Sequence, residues 1–308
     1  MNLEALVKFW ALMSSIVREF WAITEPQIED SALKNDVPIE LYYYGEFGLK
    51  YFSVEDFQKR DPFTNPEQFE KAFARFDVKG WIVPLSDDRY QVSSKAQDAV
   101  REIVRAGDEE LAKFDLMSDA ELRQLVNFLK QIWMANLEAP EPPEKWAIAT
   151  RFRTSNEKSP LIVQIRELFM DLFAYRDDSH LSAARPYFGQ AGIVWDVLGS
   201  IANGNAVNAK QMAERMSFRG YEESDYEVAI QAAVEIGWVE GIDELNAFRL
   251  TTKGSEIREQ AERQTNEYFY RPWSVLRDEE LDKLYTLLAK LHEKLIEFKK
   301  RTTSDSQR

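Results

Sequence analysis

The chain contains no cysteine and only two histidines, His180 and His292. Without thiols, disulfides, thiolate nucleophiles and thiolate metal sites are all excluded. The two histidines lie far apart, on segments that read as a loop and an amphipathic helix, so they cannot by themselves build a metal centre or a catalytic triad. Glycine is sparse: 12 among 308 residues. The run Ile201-Ala202-Asn203-Gly204-Asn205 holds a single glycine, which reads as a helix stop, so a phosphate-cradling loop is missing as well. Carboxylates abound, yet none pairs with a residue that would single it out for chemistry. The expectation is a protein that is not an enzyme and holds no metal or cofactor. Long apolar runs are missing too. Residues 2–23 are apolar in stripes, but Glu4, Lys8, Arg18 and Glu19 interrupt them and no small-residue cleavage site follows. That segment reads as an amphipathic helix, neither signal nor membrane span, which favours a cytoplasmic protein with no membrane partner.

What the chain does contain is an internal echo. Residues 69–79 read as a helix running into Gly80-Trp81, followed by a polar turn and Tyr90-x-Val92-Ser93-Ser94-Lys95. Residues 226–236 run into Gly237-Trp238, another polar turn follows, and Phe248-x-Leu250-Thr251-Thr252-Lys253 closes it. The glycines are 157 residues apart (237 − 80). Further on, Asp119-x-Glu121-Leu122-x-x-Leu125-x-x-x-Leu129 returns as Asp278-x-Glu280-Leu281-x-x-Leu284-x-x-x-Leu288, an offset of 159 (278 − 119). Two patterns in nearly one register point to a duplicated unit.

Local signals say what the unit is. Ser53-x-x-Asp56 opens a short helix, and Asn65-Pro66 places proline in the first turn of the next. In the second copy, residues 192–201 read as a buried helix stopped by Asn203-Gly204-Asn205. Asn208-x-x-Gln211 and Ser224-x-x-Glu227 then open two further helices. A helix that stops at glycine, two short strands around a polar turn, and another helix make the ending of a winged helix-turn-helix. The segments Ile236-Gly237-Trp238-Val239-Glu240 and Phe248-Arg249-Leu250-Thr251-Thr252-Lys253-Gly254 together resemble the MarR family of winged-helix regulators, whose wing commonly ends in Leu-Thr-x-x-Gly before a long dimerisation helix. The resemblance covers about the second half of the chain, and Val92-Ser93-Ser94-Lys95 carries it more loosely in the first. The family's Asp-Arg wing pair is matched by Asp88-Arg89, whereas Asp243-Glu244 departs from it. The resemblance implies a homodimeric DNA-binding fold with both protomers in one polypeptide, and small aromatic effectors held between dimerisation helices and winged domain.

The expected fold is therefore mainly α with small β wings: two winged helix-turn-helix domains related by internal duplication and joined by a helical pseudo-dimer interface. Residues 1–137 form the first copy, 138–159 a linker marked by Pro140, Pro142 and Pro143, 160–300 the second copy and 301–308 a disordered tail. The opening helices carry Leu3, Leu6, Val7, Trp10, Met13, Val17 and Phe20, and Leu161, Ile165, Leu168, Phe169, Leu172 and Phe173. The closing helices span residues 119–133 and 279–300, the latter striped by Leu281, Leu284, Leu288, Leu291, Leu295 and Phe298. Mutual burial of these stripes makes an intramolecular bundle, and a monomer that mimics a dimer. Packing of each stripe on its own domain is the alternative.

Charge bears on function. With 39 bases against 53 acids the formal charge is -14. Residues 221–245, the expected second recognition helix and half its wing, hold Glu222, Glu223, Asp225, Glu227, Glu235, Glu240, Asp243 and Glu244, and neither lysine nor arginine. Such a face repels phosphate. The first copy is nearly balanced over residues 65–91, where Lys71, Arg75, Lys79 and Arg89 offset five acids. Lys71 and Arg75 share a helix face, and Arg89 lies on the wing. Lys210, Arg215 and Arg219 form a small basic set in the second copy. These seven are the candidate contacts for duplex DNA. Two functions remain open: a transcriptional regulator docking mainly through the first copy, or a scaffold for protein interaction or small-ligand sensing whose acidic second helix meets a basic protein. Tyr42, Tyr43, Tyr44, Phe47, Tyr51, Phe52, Tyr187, Phe188 and Trp195 either border an effector crevice or are core.

Overall fold

A computed structural model describes residues 3–41, 51–189, 191–242 and 247–305. Its first elements are α1 (Leu3–Lys34), β1 (Tyr51–Phe52), α2 (Val54–Arg60), α3 (Pro66–Val78), β2 (Ile82–Pro84), β3 (Tyr90–Val92), α4 (Ser94–Leu111) and α5 (Asp119–Glu138). There follow α6 (Trp146–Thr150), α7 (Leu161–Phe188), α8 (Gly192–Ala202), α9 (Ala209–Arg215), α10 (Glu223–Glu235), β4 (Val239–Ile242), β5 (Ala247–Leu250), α11 (Thr252–Tyr270) and α12 (Asp278–Asp305). The fold is mainly helical with small antiparallel sheets. None of the described helices is long and apolar enough to cross a membrane.

The caps explain most boundaries. Ser53 and Asp56 close a reciprocal capping box on α2, and Ser118 and Glu121 do the same on α5. Asn65 caps α3 with Pro66 in its first turn, and Asn208 accepts from the Gln211 amide to start α9. One start differs from the expectation: α10 begins at Glu223, not around Ser224. The Glu222 side chain accepts from the Asp225 amide while the Asp225 carboxylate accepts from the Glu222 amide, an acidic version of the same box. Helices α3 and α10 end alike. Gly80 (φ +69°) and Gly237 (φ +76°) take the left-handed conformation. Trp81 N–H reaches back to Phe76 O, and Trp238 N–H to Ala233 O, each at 2.8 Å. This double-bonded exit turns both chains sharply into their hairpins.

The chain divides into two compact units, and both sequence halves contribute to each. The first comprises residues 1–49, 92–178 and 266–308. Here α1, α5, α7 and α12 share one apolar core built around Phe9, Met13, Phe20, Leu129, Ile132, Phe169, Leu172, Leu288 and Leu291. Phe9, Phe269 and Tyr270 surround the Trp273 ring with centroids 5.2 to 5.6 Å away. The stripe expected for α1 is only partly the buried one: Val7 is 44% exposed, while Phe9 and Ile16 are buried. Glu121 of α5 and Lys290 of α12 meet at 2.6 Å.

Residues 138–159, expected to be a helix-resistant linker, include α6 and pack firmly. Ala147 and Ile148 are buried, and both their amides donate to the Asp178 carboxylate, at 2.7 and 2.9 Å. Beyond α6, Arg151 lies 2.6 Å from Glu167 and 2.8 Å from Asp171, and Arg166 lies 2.8 Å from Asp108. Burial works against ionisation of all three acids. Arg151 and Arg166 outweigh it at Glu167, holding that carboxyl below the usual range, whereas burial prevails at Asp171 and Asp108 and pushes them up.

The second unit comprises residues 50–91 and 179–265. One part holds α2, α3 and a three-stranded sheet of order β1-β3-β2, with Phe52 opposite Tyr90. Its core is aromatic: the rings of Phe52, Phe57 and Phe73 lie 5.1 Å apart pairwise. The other holds α8, α9, α10 and the β4-β5 hairpin, in register from Val239 opposite Leu250 to Ile242 opposite Ala247. Val197, Leu198, Met212, Tyr226, Ala233 and Trp238 form its core.

Two outcomes test the first unit. Glu167→Ala leaves two buried guanidinium groups short of a counter-charge and should cost about 3–5 kcal/mol in urea unfolding. Bonds from Lys290 and Ser118 lower the Glu121 carboxyl from 4.5 to about 2. Its folded value lies below its unfolded one, so its contribution is present above the unfolded value and vanishes as pH falls toward the folded one. The stability gap between the wild type and Glu121→Gln should be steady near neutrality and close between pH 4.5 and about 2.

Candidate nucleic-acid interface

Two helix pairs in the second unit are joined by tight turns: α2 to α3 through residues 61–65, and α9 to α10 through residues 216–222. Each second helix buries one face. Helix α3 buries Phe69, Ala72, Phe73 and Phe76, which leaves Lys71, Arg75, Val78 and Lys79 exposed on the remaining faces. Helix α10 buries Tyr226, Ala229, Ile230 and Ala233 and exposes Glu223, Glu227, Val228, Gln231 and Glu235. Val228 is 71% exposed.

The cations differ in how free they are. Lys71 lies 3.6 Å from Glu67, and both side chains are well exposed. Arg75 is exposed along the same face. Arg89 sits on the β2-β3 turn beside Asp88, which takes positive φ, and bonds Asp87 at 2.6 Å, an interaction that lowers the Asp87 carboxyl. Lys210 lines a cleft of about 190 Å³ between α9 and α10 together with Glu223 and Glu227. Arg215 is exposed at the end of α9.

Arg219 stands apart from the other candidates. Its side chain is 18% exposed, 2.9 Å from Asp61 and 3.0 Å from Asp196, and also donates to the Thr64 hydroxyl at 3.3 Å. Burial pushes the Asp196 carboxyl up against the pull of Arg219. The sequence offers Arg219 as a candidate DNA contact and hides these acids, because both partners are remote from it along the chain. The backbone repeats the tie: Asn65 N–H donates to Arg219 O at 2.9 Å, and Asn65 Nδ2 to Gly220 O at 3.2 Å.

Residues 175–300 match a helix-turn-helix family. The matched span runs from the second half of α7 into α12 and contains α9, the turn and α10. No curated protein and no solved structure matches the chain.

Several other candidates are placed as well. Phe52, Phe188 and Trp195 are buried, with Tyr187 stacked on Trp195 at 5.8 Å and 12°. They are core, not the wall of a crevice. His180 belongs to α7 rather than to a loop, with its ring 6.3 Å from Trp195 and its Nδ1 3.4 Å from the Thr265 hydroxyl. Tyr42, Tyr43, Tyr44, Phe47, Asp243 and Glu244 lie outside the described residues. A separate open cleft of about 500 Å³ in the first unit is lined by Lys130, Trp133, Gln164 and Arg153, whose guanidinium stacks 4.3 Å above the Trp133 ring.

Gly220 makes the α9–α10 turn testable. It takes φ +73°, and a β-carbon there would stand 2.9 Å from Gln68 Cβ. Gly80 has φ +69° but open space around it. Gly80→Ala should cost about 1–2 kcal/mol for the backbone alone, and Gly220→Ala measurably more in the same denaturant titration. Equal losses would mean that the contact with Gln68 carries no weight.

Proposed function

We propose that this protein is a tandem, MarR-like winged helix-turn-helix regulator, a duplicated unit whose two copies act as a pseudo-dimer within one chain. It docks on duplex DNA through the first copy. The observation that carries this reading is the row of exposed cations on α3, Lys71 and Arg75 with Lys79 beyond them, flanked by Arg89 on the neighbouring hairpin. A helix-turn-helix places its second helix in the major groove while lysine and arginine neutralise phosphates. The helix-turn-helix match in the second copy, and the like endings of α3 and α10, support extending the assignment to both copies. The chemistry is recognition rather than catalysis.

A second reading has its own support. Val228 is exposed on α10, with Asp225 and Gln231 one turn away on the same face, and together with the further acids of that helix it suits a basic protein surface. The cleft around Trp133 and Arg153 would serve ligand sensing in such a scaffold.

The two readings part on charge reversal. Lys71→Glu with Arg75→Glu should weaken binding to duplex fragments at least about tenfold and lower the salt slope by about 2. Glu223→Lys with Glu227→Lys should leave duplex binding intact or strengthen it. Unchanged affinity after the first pair, in a salt-titrated mobility shift, defeats the DNA reading.

A further inference from the structure

Helix-turn-helix dimers read two half-sites whose centres are about 34–36 Å apart, with base edges met by the N-terminal residues of each recognition helix. In this chain the two corresponding helix starts abut. Asn65, the cap of α3, is bonded to Arg219 and Gly220, and Glu222 caps α10 only three residues after Arg219. Hydrogen-bonded backbones approach to about 5.5 Å. Three further residues reach at most about 11 Å. The two caps are therefore within roughly 16 Å, about half of what paired half-sites require.

The junction is built to hold. Arg219, in the turn between α9 and α10, bonds both Asp61 at the end of α2 and Asp196 of α8, and its guanidinium lies 5.2 Å from the Phe63 ring. Phe63 packs on Phe188 at 5.8 Å, and Arg185 donates to Lys59 O at 2.8 Å. At Gly192 a β-carbon would stand 2.1 Å from Pro62 O, so these backbones touch directly.

We infer that the protein recognises one contiguous DNA segment, without an inverted repeat, and that its two helix pairs stay joined at the Arg219 junction when it binds. The inference rests on the nucleic-acid reading above. Two recognition helices held this close cannot enter successive major grooves, and the acids Glu222, Glu223 and Asp225 at the start of α10 keep that helix off phosphate. Binding then falls to the part of α3 leading away from the junction, where Arg75 and Lys79 stand, and to the hairpin carrying Arg89.

Because the chain has no cysteine, Glu67→Cys with Ser224→Cys gives two unique thiols beside the two caps. A bis-maleimide spanning about 16 Å should link them within one chain. The linked full-length protein should bind randomised duplexes of 30 base pairs within about threefold of the unlinked one, and repeated selection should enrich a single unrepeated motif. A tenfold loss on linking, or an enriched inverted repeat with centres about 10 base pairs apart, overturns the inference while leaving DNA binding in place. Failure to link overturns the junction geometry. If no duplex is retained even before linking, the nucleic-acid reading falls and takes this inference with it, and the yield of linked chain still reports whether the caps abut.

Discussion

A helix with a continuous apolar stripe is unstable in water unless something covers the stripe, and in the first unit the cover comes from helices far apart in sequence. Leu284, Leu288, Leu291 and Leu295 form one row along α12, and all are fully buried. Each such side chain contributes about 1.5–3 kcal/mol on burial. The row alone is thus comparable to the net stability of an ordinary domain, about 5–15 kcal/mol. Its partners are Phe9, Met13 and Phe20 of α1, Leu125 and Leu129 of α5, and Phe169 and Leu172 of α7. Stripes from the two halves of the sequence therefore close one core, which is why the compact units do not follow the order of the chain.

Charge is buried beneath that core's edge, and its arrangement is balanced. Three arginines, Arg151, Arg153 and Arg166, face Asp108, Glu167 and Asp171. Glu167 and Asp171 each face two guanidinium groups, but Glu167 also accepts from Thr154 and Ser155, each at 3.1 Å, and its ionised form is favoured despite complete burial. At Asp171, beside Arg151 and Arg153, and at Asp108, beside Arg166, burial prevails. The network fixes residues 151–155 against α7, and it replaces the slack expected of a proline-bearing connection with a defined path.

Much of this fold was legible in the sequence where the signal is local. The caps Ser53, Asn65 and Asn208, and the Gly-Trp exits of α3 and α10, depend on residues within a few positions of one another. A chain reader sees all the participants at once. The misses share the opposite property. Helix α6 forms because Asp178, some thirty residues later, accepts its first amides; the local sequence, with three prolines nearby, argues against a helix. Glu222 rather than Ser224 caps α10, since two acids exchanging bonds with each other's backbone resemble no usual capping pair. Val7 turned outward because the buried row of α1 runs through Leu6, Phe9, Met13, Ile16 and Phe20, a three-to-four spacing that passes beside it. Of the candidate cations, Lys71 and Arg75 are exposed on α3, whereas Arg219 is held between Asp61 and Asp196, two acids remote from it in sequence.

Burial decides which cations a phosphate can recruit. Exposed ion pairs are weak, so the Lys71–Glu67 and Arg89–Asp87 contacts are easily exchanged for another partner. Arg219 sits between two carboxylates in a half-buried turn, where removing the cation would strand Asp61 and Asp196 together. Such a rearrangement costs several times more than a surface exchange. Lys210 is intermediate, accessible but in a cleft that Glu223 and Glu227 also line. One residue type therefore plays two roles within a single unit. The loosely held cations of α3 and its hairpin remain available to a partner, and the tightly held one fixes the distance between the two helix pairs that limits how such a partner can be approached.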